Sequence, residues 1–234
     1  RFRRNKIADT IVFFGSARIK SQEEAQTALQ NAPLNTSKKI KEQLKRDLQM
    51  SRYYEDSRKL AYKLTKWSMS LKENRKRFII TSGGGPGIME AANRGAVEAK
   101  GLAVGLNITL PYEQSGNKWI SKDLSLYFHY FFMRKFWFLY LAKALVIFPG
   151  GFGTLDELME LLTLIQTEKI RKKVPVVVYD KKFWNKIINF DQLVKMGTIS
   201  KEDMKLFYMT DSIDDAYKYL TKEIVKAHLK GKNF

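Results

Sequence analysis

Two glycine clusters, each followed by a glutamate, are the residues of this sequence whose types and spacing could do chemistry. The first is Thr81-Ser82-Gly83-Gly84-Gly85-Pro86-Gly87-Ile88-Met89-Glu90. The second is Phe148-Pro149-Gly150-Gly151-Phe152-Gly153-Thr154-Leu155-Asp156-Glu157. Glycines between a strand and a helix let backbone N–H groups approach an anion at the positive end of the helix. Together the clusters read as a phosphate clamp. Gly84, Gly85, Gly150, Gly151 and Gly153 offer backbone contacts, Thr154 adds a hydroxyl, and Glu157 and Glu90 stand beside them for acid–base or electrostatic work. Either glutamate could also be an ordinary acid in the first turn of its helix.

A second constellation is Phe131-Phe132-Met133-Arg134-Lys135-Phe136-Trp137-Phe138. Cations among so many aromatics are costly to bury unless they meet an anion. Arg134 can grip a phosphate in a bidentate way, or form an internal salt bridge, for which Glu157 is a candidate partner. Lys135 is a further phosphate contact or a solvent-facing side chain. The aromatic stripe of Phe131, Phe132, Phe136, Trp137 and Tyr140 reads as core or as a subunit interface.

The elements that must position these groups alternate along the chain. Ile11 to Phe14 reads as a buried strand leaving through Gly15-Ser16-Ala17-Arg18, and Ser16 is a candidate ribose contact, as is Ser82. Ser21 to about Leu71 is mostly helical, broken near Pro33, with Ser37 as cap of the second, long helix and Trp67 closing it. Strands are expected at Phe78–Thr81, Ala103–Leu110 (ended by Pro111), Leu124–Tyr130, Ala144–Phe148, Val174–Tyr179 and, at an edge, Leu206–Met209. Helices are expected at Gly87–Lys100, where Ala91, Ala92 and Ala96 permit close packing, and at Met133–Lys143, Thr154–Lys169, Phe183–Met196 and Ser212–Leu229. Such alternation predicts an α/β fold: one Rossmann-like domain over residues 1–234, a parallel sheet with helices on both faces, and a helical insertion at about 21–71. Ligands in such sheets bind beyond the carboxyl ends of the strands, where both glycine loops and Ser16 lie.

Composition narrows the chemistry. The 234 residues include no cysteine, which excludes disulfides and thiolate catalysis. The two histidines, His129 and His228, form no ligand motif, so no metal is expected. The net charge of +18 favours anionic partners, yet the basic residues are scattered and read first as a solvated surface. Nucleic acid is therefore an unfavoured partner, since no recognition motif or compact basic run is present. No signal peptide is visible. Tyr127 to Ala144, the one membrane candidate, carries Arg134, Lys135 and Lys143, so a cytoplasmic protein is expected.

Several nucleotide motifs fail. G-x-G-x-x-G from Gly83 needs glycine where Ile88 stands, and from Gly151 it needs glycine where Asp156 stands. G-x-x-x-x-G-K-[ST] and G-x-S-x-G are absent. The run from Pro149 to Glu157 instead resembles the PGGxGTxxE signature of the LONELY GUY family, formerly labelled "possible lysine decarboxylase". Met133-Arg134-Lys135 resembles its arginine–lysine motif and Gly83 to Met89 its upstream glycine motif. The resemblance covers about Ile11 to Tyr179. The segment from Ser21 to Leu71, Glu90-Ala91-Ala92-Asn93, and Phe131-Phe132 ahead of Met133 are similar to the longer bacterial branch.

This resemblance implies a Rossmann-like homodimer or higher homo-oligomer with the active site near the subunit interface. It implies hydrolysis of the N-glycosidic bond of nucleoside 5′-monophosphates, AMP or cytokinin ribotides, to free base and ribose 5-phosphate, without a cofactor. Arg134 and Glu157 are then the catalytic pair. Such cleavage builds positive charge on the sugar, and a carboxylate near the anomeric carbon stabilises it or orients water. The alternative is a non-catalytic nucleotide-binding or sensing protein, for which a carboxylate beside a phosphate is unnecessary. Decarboxylation would need a lysine marked for pyridoxal phosphate, and no sequence context marks one.

Overall fold

A computed structural model of the chain describes residues 1–71, 73–109 and 116–229. Seven strands form one sheet: β1 Thr10–Phe14, β2 Ile79–Ser82, β3 Ala103–Ile108, β4 Ser125–Phe128, β5 Ala142–Ile147, β6 Val176–Tyr179 and β7 Tyr208–Thr210. Their spatial order is β4-β3-β2-β1-β5-β6-β7, and all neighbours are parallel. The chain builds outward from β1 to β4, then returns to place β5 on the other side of β1. β1 and β5 thus flank the switch point of an α/β sheet, where a crevice opens beyond the strand ends.

The strand sequences are continuous apolar runs because both faces are covered. Along β1, Ile11 and Phe13 enter one core while Val12 and Phe14 enter the other. Val177 and Tyr179 of β6 alternate with Val176 and Val178 in the same way. The first core is closed by helices α2 Lys38–Ser70, α3 Ile88–Glu98 and α8 Ile213–Ile224, and the second by α4 Phe131–Leu141, α5 Phe152–Gln166 and α6 Lys181–Ile187. Two further α-helices, α1 Gln22–Gln30 and α7 Phe190–Lys195, a 3-10 helix Glu202–Lys205 and a π-helical turn Val225–Leu229 complete the set among the described residues. Phe138, Leu158, Leu161 and Trp184 anchor the second layer.

Caps explain the helix boundaries. Ser21 closes a capping box with Glu24, and Ser37 and Ser212 accept from Ile40 N–H and Asp215 N–H. The carboxyl half of α2 supplies Tyr53, Tyr54, Leu60, Ala61 and Leu64 to the core, while its amino half is largely exposed. On α3, Ala91, Ala92 and Ala96 are fully buried. Gly95 permits the closest approach, since a Cβ there would lie 2.1 Å from the Arg58 carbonyl oxygen.

Several expectations shift. Lys143, expected in a helix, lies in β5. The helix foreseen over Phe183–Met196 is two helices, because Asn189 breaks from helical geometry and caps α7 through Gln192 N–H. α2 runs past Trp67 to Ser70. α5 starts at Phe152, so Glu157 stands in its second turn rather than its first. The edge strand expected at Leu206–Met209 is Tyr208–Thr210. Leu110 and Pro111, expected to end β3, lie outside the described residues.

Candidate functional site

A cleft of about 720 Å³ opens at the switch point, beyond the carboxyl ends of β1 and β5. Backbone hydrogen bonds tie its walls together. Phe148 N–H donates to Phe14 O at 2.8 Å, Ser16 N–H to Pro149 O at 3.0 Å and Ile88 N–H to Ser16 O at 3.1 Å. The backbone of Ser16 therefore links the two glycine loops, and its hydroxyl oxygen accepts from Arg18 N–H at 3.1 Å.

The two loops differ in kind. In the first, glycine is required by packing. Gly84 has φ +77°, and a Cβ there would fall 2.0 Å from Asn107 Oδ1. Gly87 has φ +70° and abuts the Ser16 carbonyl. In the second, Gly150 is pressed against Thr154, but Gly151 and Gly153 have no atom within 4 Å of a notional Cβ. Gly151 is the N-cap of α5 and, having no side chain, makes no cap bond to the first-turn amides. The amino end of α5 thus presents N–H groups and positive dipole to the cleft.

Arg134, Gly83, Gly85, Gly150, Gly151, Gly153, Thr154, Glu157 and Ser16 all line the cleft. Arg134 lies in the first turn of α4, its guanidinium 5.1 Å from the Phe131 ring centroid and 5.6 Å from that of Phe138. A Cβ on Gly83 would sit 3.8 Å from Arg134 Nη1, so the arginine reaches the first glycine loop. Glu157 approaches from α5 and is 6% exposed. Burial raises its carboxyl pKa from the ordinary 4.5 to about 7, a rise moderated by the charges of Lys135 and Arg134 and reinforced by Asp156 and Glu160.

Four expected contacts are placed elsewhere. Lys135 is held by Asp156 at 2.7 Å and Glu160 at 2.6 Å, binding α4 to α5 outside the cleft lining. Glu90 accepts from the Tyr54 hydroxyl at 3.2 Å, which turns it toward α2. Gly84 points at Asn107, and its N–H donates to Ser82 Oγ at 3.1 Å. Ser82 is itself buried and donates to Asn93 Oδ1 at 2.6 Å, so it is not open to a ribose. In each case a tertiary partner captures the group.

The cleft also contains residues not foreseen as contacts: Arg18, Met89, Phe131, Phe152 and Ile187. Arg18 could have been found from its place in the exit loop of β1. Phe152, 93% exposed at the mouth, carries no sequence signal apart from its glycine neighbours. Of the α4 stripe, Trp137 is partly buried against the second core, and the other members are not core. Phe131, Phe132, Phe136 and Tyr140 are exposed, and Phe138 is the buried member of that helix. No described helix is long and apolar enough to cross a membrane.

Comparison with known proteins gives this geometry a lineage. The rice (Oryza sativa subsp. japonica) protein named "Probable cytokinin riboside 5'-monophosphate phosphoribohydrolase LOG4" is 30% identical over 81 residues. That match spans 35% of this chain and 35% of the rice protein, about a third of each. Among solved structures, the structural-genomics protein TM1055 aligns over 92% of this chain and 99% of its own at 20% identity, with a TM-score of 0.53, a likeness of fold. The Moco carrier protein of Chlamydomonas reinhardtii aligns over 93% of this chain and 98% of its own at 14% identity, with a TM-score of 0.49. The family model described as "Possible lysine decarboxylase" matches residues 89–220, which hold Arg134, the second glycine loop and Glu157. With more than half its length matched, the chain belongs to this family, the LONELY GUY family.

Proposed function

We propose that this protein is a nucleoside 5′-monophosphate phosphoribohydrolase, cleaving AMP or a cytokinin ribotide to free base and ribose 5-phosphate. The observation that carries the reading is Glu157. It is a buried carboxyl with a pKa of about 7, in the same cleft as Arg134 and one turn beyond the open amino end of α5. A protein that only held a nucleotide would gain nothing from a half-ionised carboxyl there.

In this reading the 5′-phosphate sits on the first-turn amides of α5 and the Thr154 hydroxyl. The glycosidic C–N bond breaks with its electron pair leaving on the base nitrogen, while water adds to the anomeric carbon. The Glu157 carboxylate steadies the positive sugar and takes a proton from that water, and the base nitrogen gains one. The sum is ribotide plus water to base plus ribose 5-phosphate. Arg134, always protonated, acts by charge and position. Phe152 and Phe131 offer apolar surface at the mouth for the base.

The active assembly we propose is a homodimer, or a higher homo-oligomer built from it, joined through the exposed aromatic face of α4. Phe132 (66% exposed) and its neighbours expose an apolar patch beside the cleft, the kind of surface an interface covers. The test of function is chromatography of free base after incubation with a panel of nucleoside 5′-monophosphates that includes AMP and an isopentenyladenine ribotide. Release of base from at least one supports the reading. Tight binding of the panel with no base released would favour a nucleotide sensor.

A further inference from the structure

The cleft does not use the positive charge gathered at the opposite end of the sheet. Arg75, Lys76 and Arg77 precede β2, Lys100 precedes β3, Lys122 precedes β4, and Arg171-Lys172-Lys173 precede β6. That edge also collects helix carboxyl termini, for which isolated cations are ordinary dipole partners. One place goes beyond this. A cavity of about 710 Å³ lies between the amino ends of β6 and β7 and the end of α8, as large as the cleft and remote from it.

Its charged lining is uneven. Arg171, Lys173, Lys205 and Lys226 face it, opposed by Glu168 and Glu223. Its apolar surface includes Leu206 and the Tyr219 ring, which is fixed by stacking on Tyr208 at 4.3 Å between centroids. Lys172 also lines the cavity, but its ammonium is held by another element. Its ammonium donates to the carbonyls of Leu139 and Tyr140 at the end of α4. Burial and the nearby Lys143 lower its pKa to about 8, against the opposing pull of Asp9.

We propose that this cavity is a second ligand site that takes a small organic polyanion: a molecule with a planar apolar part and at least two negative charges, such as an aromatic phosphate ester. Cations in excess of carboxylates call for a dianion. The Leu206 and Tyr219 surface calls for an apolar body, which inorganic phosphate lacks. A pocket that pairs an apolar lining with a few convergent charges is the usual form of a small-molecule site.

The experiment is calorimetric titration of the full chain with 1-naphthyl phosphate and, separately, with inorganic phosphate. It is repeated on Lys205→Glu/Lys226→Glu and on Arg134→Ala, which perturbs the cleft. Both lysines are exposed, so the double variant should keep the wild-type circular dichroism spectrum; Lys205→Ala/Lys226→Ala serves if it does not. The expected result is a naphthyl phosphate site that Arg134→Ala leaves intact and the lysine double variant weakens at least tenfold, with inorganic phosphate at least tenfold weaker there. Unchanged binding in the lysine variant overturns the proposal. Equal affinity for inorganic phosphate overturns the assigned ligand class.

Discussion

Arg134 and Glu157 reach one cleft from consecutive helices, and the guanidinium offsets part of the burial cost that lifts the Glu157 carboxyl to about 7. The helices are themselves tied by Lys135, whose ammonium meets Asp156 and Glu160 one residue before and three residues after Glu157. The pair is thus poised by a structural ion cluster beside it.

The first prediction concerns the rate. Turnover of the proposed ribotide substrate should rise with pH up to about 7 and then level, because the carboxylate is the working form. Glu157→Gln should lower turnover about a hundredfold or more while nucleotide affinity stays near wild type. Steady-state kinetics from pH 5 to 9 check both. Near-normal turnover in the variant would remove Glu157 from the chemistry.

The same shift has a consequence for stability. A carboxyl with its folded pKa above the unfolded value binds more protons when folded, so stability is full below about 4.5 and falls as pH rises through about 7. At pH 8 Glu157→Gln should therefore be more stable than wild type, by up to about 3 kcal/mol, and at pH 4 the difference should shrink toward zero. Urea unfolding at the two pH values measures it. A variant equally destabilised at both would show that the carboxyl is not strained by burial.

Lys135 is predicted to act on Glu157 without touching substrate. Lys135→Met leaves Asp156 and Glu160 unneutralised next to Glu157, so the acid limb of the rate profile should move to higher pH. Stability should fall by about 1 kcal/mol, since Asp156 is largely solvated. An unmoved limb with weaker phosphate affinity would place Lys135 at the substrate instead.

Much of this site was legible in the sequence, for local reasons. A glycine loop between an apolar run and a helical run is a short-range pattern, and so is an alanine-rich helix face such as that of α3. The second glycine loop, Arg134 and Glu157 come together because β5 returns beside β1. What misled was equally physical. Glu90, like Glu157, follows a glycine loop within a turn or so, but Tyr54, thirty-six residues earlier, captures it. Gly84 looks like Gly151 until Asn107 is seen against it. Phe152 and Ile187 enter the cleft from separate elements, and such convergence leaves no mark in either segment.

The α4 face yields a prediction about assembly. Phe132→Glu/Phe136→Glu places two charges in the exposed aromatic patch. Sedimentation equilibrium should give at least twice the chain mass for wild type and the chain mass for the variant. Equal masses would show that α4 is not the interface.

The central claim is that the amino end of α5 holds a 5′-phosphate while Glu157 serves cleavage at the sugar, and AMP against adenosine tests it most directly. Both are incubated with the wild-type protein at pH 8, and adenine is quantified by chromatography with ribose 5-phosphate measured in parallel. The account predicts adenine and ribose 5-phosphate in equal amounts from AMP, and release from adenosine at least a hundredfold slower. Equal rates on the two would contradict the phosphate site, and no adenine from AMP or any other ribotide would contradict the hydrolysis itself.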